Sequence, residues 1–231
     1  MCGEVADRLL DSEGRTEFQS HLRGLSLTEF GKTSLEAVLE ADSPEERGWA
    51  VGEALAESLL TAIYGVQWPW NMERDKRHPG ASLPGADIVG FLPSGPGFRL
   101  ALGEVKTSAE SAWPPQVMYG RSGLVHQIDT LATHLGIICQ LMKWLLPRCK
   151  GTRFETAFNS AAEAYFNSGH REATLFGVLI RETPANEMDL KTRGISLGDA
   201  LAAPASCVLI GVYLPHQISD LPARTKRRSQ I

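Results

Sequence analysis

The sequence predicts an α/β fold in which a mixed central sheet lies between helices, and three observations predict it. Helical and strand patterns alternate along the chain. Two runs, Ala173 to Arg181 (ATLFGVLIR) and Cys207 to Leu214 (CVLIGVYL), are almost continuously apolar, which suits central strands covered on both faces. Gly85 to Ser108 reads as two strands joined by a turn, Ser94-Gly95-Pro96-Gly97, whose residues favour a tight reversal.

The elements follow in order. Residues 1–42 read as polar helices with sparse apolar anchors at Leu9, Leu10, Leu22, Leu25, Leu27 and Phe30. They form a helical N-terminal extension. Ser43-Pro44-Glu45-Glu46 starts a helix with a Ser cap, Pro at the first position and acids in the first turn. That helix is expected to run to Tyr64, with Val51, Leu55, Leu59, Ala62 and Ile63 as its buried arc. Glu53 falls at the edge of this arc, and Glu57 one turn on, further toward water. The strands are expected at Asp87–Leu92 and Phe98–Thr107. One long helix from Ser122 to Leu146 should carry a heptad stripe, Leu124, Ile128, Leu131, Leu135, Ile138, Met142 and Leu145, and stop at Pro147. A helix over Phe154–Phe166 and a short one near Leu197–Ala202 separate the later strands. Residues 43–222 form the main domain, and 223–231 a basic, flexible tail containing Arg224, Lys226, Arg227 and Arg228.

Composition narrows the function classes. A chain of 231 residues can bury one good core. No apolar run reaches the length of a membrane span, and the N-terminus lacks the basic start and apolar centre of a signal peptide. A cytoplasmic protein without membrane attachment is expected. Cys2, Cys139, Cys149 and Cys207 show no CxxC spacing, so reduced thiols are expected. There is no GxxxxGK[ST] loop, no GxSxG and no HExxH. The formal charge of −4 argues against a chain that grips nucleic acid strongly by itself, because phosphate binding is largely electrostatic. Local charge, a metal ion or a partner protein can still supply it.

The chemistry concentrates around the hairpin. Side chains alternate along a strand, so Glu104 and Lys106 share a face, and the hairpin brings Asp87 beside them. Two carboxylates and a lysine at one end of a sheet suit a hard divalent cation and metal-assisted hydrolysis of a phosphodiester. The plain alternative is a surface ion-pair cluster, but an apolar strand that ends in Glu-x-Lys calls for an explanation.

Asp87 followed by Glu104-Val105-Lys106, in the setting GAD…GEVKTS, resembles the PD-(D/E)xK phosphodiesterase superfamily of restriction-endonuclease-like nucleases. The resemblance covers roughly Pro44 to Ile138; Ala86 stands where the literal motif has proline. It implies a restriction-endonuclease-like core and a metal-dependent nuclease, with DNA as the expected substrate. It implies Asp87 and Glu104 as ligands of Mg²⁺ or Mn²⁺, with the Val105 carbonyl as a further ligand. Lys106 would position water or stabilise phosphate charge. An acid on the first helix, Glu53 or in its place Glu57, would be an outer ligand. Gln127, or less directly His126, would help place Lys106 or a phosphate. Arg74, Lys76, Arg77 and His78 form a basic cluster near the motif, and with Ser108 they are candidate phosphate contacts. The resemblance also implies an effector that works with a protein partner of the helicase or sensor type, as in bacterial defence against phage. The rival reading is a catalytically silent module that keeps the fold and serves as an interaction subunit.

Overall fold

The computed structural model describes residues 2–41, 48–75 and 85–226. Its centre is a four-stranded mixed sheet in the order β1-β2-β3-β4, with β1 at Ile88–Ser94, β2 at Gly97–Ser108, β3 at Ala173–Arg181 and β4 at Ser206–Tyr213. β1 and β2 pair antiparallel from Ile88↔Gly103 to Ser94↔Gly97. Gly95, at φ 55°, opens the two-residue turn between them, a conformation that favours glycine. β2–β3 and β3–β4 pair in parallel. Parallel neighbours need crossovers, and helices supply them.

The helices are α1 (Cys2–Leu9), α2 (Ser12–Leu25), α3 (Glu29–Ala41), α4 (Gly48–Tyr64) and α5 (Met72–Asp75) before the sheet. Then follow α6 (Leu124–Thr133), α7 (Leu135–Cys149), α8 (Glu155–Asn167), α9 (Lys191–Ala200) and α10 (Leu221–Lys226). Val89, Phe91, Leu100, Leu102, Leu175 and Leu179 bury one sheet face against α6, α7 and α8. Ile88, Ala101, Val105, Phe176, Val178 and Ile180 bury the other against Ala56 and Leu60 of α4. Each leucine taken fully out of water contributes about 1.5–3 kcal/mol, so these two clusters dominate the cohesion of the fold. Gly103 sits where the strands approach closely: a Cβ there would meet the Phe176 carbonyl oxygen at 2.0 Å.

Several expectations are corrected. The long helix is two, because the backbone leaves helical geometry at His134 (φ −98°, ψ 90°). Leu135 is consequently exposed, and Leu141 takes a buried place beside Ile138 and Leu145. Pro147 does not stop α7. It lies in the last turn and the helix ends at Cys149, since a missing amide near a helix end removes only one hydrogen bond. β4 is not a central strand. It is the sheet edge, and every one of its residues is half-exposed.

The buried arc of α4 also differs. Ala62 and Ile63 are exposed, whereas Ala50, Val51, Ala54, Ala56 and Leu60 are buried. The reason is α1, whose Val5 and Leu9 pack on Ala50, Val51 and Ala54 and cover a second side of α4. Glu57 is therefore buried rather than turned to water. α1 packs on α4, while most side chains of α2 and α3 are exposed. The Glu73 carboxylate ties α2 down by accepting from the Asp11 amide (2.7 Å) and Arg15 Nε (3.0 Å). α10 reaches into the segment expected to be a flexible tail, with Leu221 packed on the α1–α4 cluster and Thr225 buried. The Ser43-Pro44 helix start lies outside the described residues. No described helix is long and apolar enough to cross a membrane.

Candidate active site

β2 outruns β1. Its last paired residue on the β1 side is Gly103, but it continues against β3 to Ser108↔Arg181. Asp87, the residue just before β1, occupies the edge left open. Its amide donates to the Gly103 carbonyl (2.9 Å), and its Oδ2 accepts from the Val105 amide (3.0 Å). The N–H and C=O of one strand residue face the same neighbour, so the Val105 carbonyl is turned to this edge too. The antiparallel register continues to set Asp87 opposite Glu104, on the sheet face that α6 covers.

Glu104 is buried, at 4% exposure. Burial, and next the Asp87 charge, push its carboxyl up from 4.5 to about 8; the hydrogen bond from Lys106 pulls the other way. Glu104 and Asp87 lie within hydrogen-bonding reach of each other. Lys106 Nζ donates to Glu104 Oε1 (2.5 Å) and to Gln127 Oε1 (3.0 Å). An ammonium has three donors, so one remains for a water or a phosphate oxygen. Gln127 rises from the first turn of α6. Gly123 precedes that helix, and buried Leu124 and Ile128 fix its face against the sheet.

The arrangement fits a hard cation. A buried carboxylate beside a half-buried one presents several oxygens at one point, a geometry that a divalent ion would satisfy. Asp87, Glu104 and the Val105 carbonyl could supply such oxygens, and Mg²⁺ usually keeps several waters besides.

Glu53 is placed differently. It is buried on α4, the helix over the opposite sheet face. The adjacent Gly52 abuts Thr107, where a Cβ would come within 2.8 Å of Cγ2. Among the described residues no group of three or more Asp, Glu, His or Cys side chains is arranged to hold a metal ion. Ser108 is buried and its hydroxyl accepts from the Glu110 amide (3.2 Å), which shapes the turn out of β2. His126 is exposed while its neighbour Gln127 reaches the lysine. Arg74 pairs with Asp75 (3.1 Å) and Asp11 (3.7 Å), so its charge is largely answered within the protein. Lys76, Arg77 and His78 lie outside the described residues.

Sequence reasoning missed Arg181, which is fully buried. It pairs with Asp189 (2.7 Å), and its Nη2 donates to the carbonyls of Glu110 and Ala112 (3.1 Å for the second). Asp189 also accepts from the Tyr213 hydroxyl (3.0 Å). The signal was available: a single charged residue closes an otherwise apolar strand. Arg181 is the register partner of Ser108, so it lies on the Lys106 face and holds the chain that leaves β2. No protein-family model, no curated protein and no solved structure matches this chain.

Proposed function

We propose that this protein is a metal-dependent nuclease that hydrolyses phosphodiester bonds, with DNA as the principal substrate. The observation that carries the reading is the Asp87–Glu104 carboxylate pair beside Lys106, whose ammonium is braced by Gln127. A bound Mg²⁺ or Mn²⁺ would polarise the phosphoryl oxygen and lower the pKa of a coordinated water. Asp87 and Glu104 hold the cation, and the Val105 amide fixes the Asp87 carboxylate through Oδ2. Lys106 directs its remaining N–H at the attacking water or at the charge that develops on the phosphate. Gln127 limits the lysine to one position, which matters because a flexible side chain loses positioning entropy on each turnover.

The exposed apolar residues of α2 and α3, among them Leu25, Phe30 and Val38, support a protein partner that restrains or targets the enzyme. A helicase or sensor of a bacterial anti-phage system fits that role. The same residues are what favours the second reading, a silent interaction subunit. Plasmid nicking separates the two. Supercoiled DNA should be nicked with Mg²⁺ or Mn²⁺, and Glu104→Ala and Lys106→Ala should each abolish nicking in a folded protein. Cleavage by either variant at the wild-type rate overturns the site.

A further inference from the structure

The segment between Ser108 and Leu124 joins the two parts of the candidate site: β2 with Glu104 and Lys106, and α6 with Gln127. It carries two large aromatic side chains in water, Trp113 at 54% exposure and Tyr119 at 52%. A lone exposed aromatic is ordinary. These two differ in how their backbone is held. Just before Trp113, the carbonyls of Glu110 and Ala112 are gripped by the buried guanidinium of Arg181. The Glu110 carboxylate accepts from the Gln116 amide (2.7 Å), which closes the segment on itself. Just before Tyr119, Met118 is buried in the main core. The indole and the phenol thus stand in solvent on a backbone anchored at each.

The anchoring also sets their side. Parallel register partners share a sheet face, so Arg181 is on the face of Ser108, which lies roughly 7 Å beyond Lys106 along the strand. A chain that delivers two carbonyls to Arg181 holds the backbone just before Trp113 against a guanidinium whose strand position shares a sheet face with Lys106. An anchored aromatic surface beside a phosphate-directed site suits a nucleobase, because every base has a π-face and stacking is indifferent to sequence. Anchoring also lowers the entropy lost when the surface is engaged.

We infer that Trp113, assisted by Tyr119, is a stacking platform for an unpaired base, so that the preferred substrate is single-stranded nucleic acid or an unpaired stretch of a duplex. This rests on the nuclease reading for its phosphate, but its test does not depend on turnover. Binding is measured by fluorescence anisotropy with calcium as the cation, on an oligothymidylate, an abasic strand of equal length and a duplex of equal length. The oligothymidylate should bind about fivefold to a hundredfold more tightly than the abasic strand. Trp113→Ala should erase that difference, Trp113→Phe should keep most of it, and Tyr119→Ala should reduce it. Equal binding of the two single strands, no binding of either, or an undiminished difference in Trp113→Ala overturns the platform. Base-dependent binding without cleavage in magnesium or manganese would instead remove the nuclease reading and leave the platform. A wild-type protein without base dependence whose capture of a second protein is lost in Trp113→Ala would overturn the platform and assign the surface to protein.

Discussion

Replacing Glu104 with Gln should stabilise the metal-free protein at alkaline pH and leave it unchanged in acid. Buried beside Asp87, Glu104 titrates near 8 in the folded protein against 4.5 when free. Between those values the folded state keeps a proton that the unfolded chain has released. A group with a raised folded pKa contributes stability that is complete below the unfolded value and is lost as pH climbs through the folded one. The gap of about 3.5 units, at 1.36 kcal/mol each, corresponds to on the order of 4–5 kcal/mol lost across this window. Glu104 is 4% exposed, so water screens little of it. Glutamine keeps the volume and hydrogen-bonding capacity and cannot ionise. The assay is urea unfolding in chelator, for wild type and Glu104→Gln, at about pH 5 and about pH 8. Groups outside the cluster act on both proteins alike, so the difference between the two profiles isolates Glu104 together with the neighbours it contacts. The wild type should lose several kcal/mol relative to the variant on going alkaline. Asp87→Asn should shrink the effect, because the Asp87 charge is the second cause of the shift. Parallel profiles for wild type and Glu104→Gln would refute the buried carboxylate pair.

Further outcomes follow from the same geometry. Gln127→Ala should lower cleavage on the order of tenfold to a hundredfold, less than Lys106→Ala, because it frees the lysine without removing it; this is read from single-turnover rates. Calcium should bind at Asp87 and Glu104 without supporting turnover, since its looser coordination holds the ligands but not the attacking geometry; calorimetry beside a cleavage assay checks it. Arg181→Met should cost about 3–5 kcal/mol in urea unfolding by leaving Asp189 charged and buried without its partner, and the double variant with Asp189→Leu should recover much of that.

The hairpin and β3 were legible in the sequence because both are local: an alternation, a Gly-Pro turn and one apolar run define them. The contact of Gln127 with Lys106 came from the family resemblance, since no periodicity brings two residues so far apart together. What escaped was tertiary. Nothing around Pro147 marks the break at His134, where α6 ends and α7 begins. The apolar run of β4 resembles that of β3, yet β4 has a neighbour on one side only. An edge strand half-covered on each face needs the same residues as a central one. Glu57 seemed solvated because α4 was read with one buried side, and α1 gives it a second. Glu53 was assigned to the ligand set by resemblance, and it is buried on α4, the helix over the opposite sheet face.

The candidate site exists because the two neighbours of β2 have different lengths. On one side β3 pairs with β2 out to Ser108; on the other, β1 begins only at Ile88, opposite Gly103. The backbone of β2 beyond Gly103 is thus supported from the β3 side and, among the described residues, has no paired strand on the β1 side. Without Asp87, the Val105 amide on that edge would lack a strand partner. Asp87 supplies one with a side chain instead of a carbonyl, and so carries a carboxylate to the point where Glu104 emerges. The burial that raises the Glu104 pKa comes from the helix layer over this face, and α6 of that layer also delivers Gln127 to the lysine. Lengthening β1 by two residues at its start would replace the Asp87 contact with a regular ladder bond and move the carboxylate away from Glu104. The register of the hairpin, and not any single residue, decides whether the two carboxylates meet.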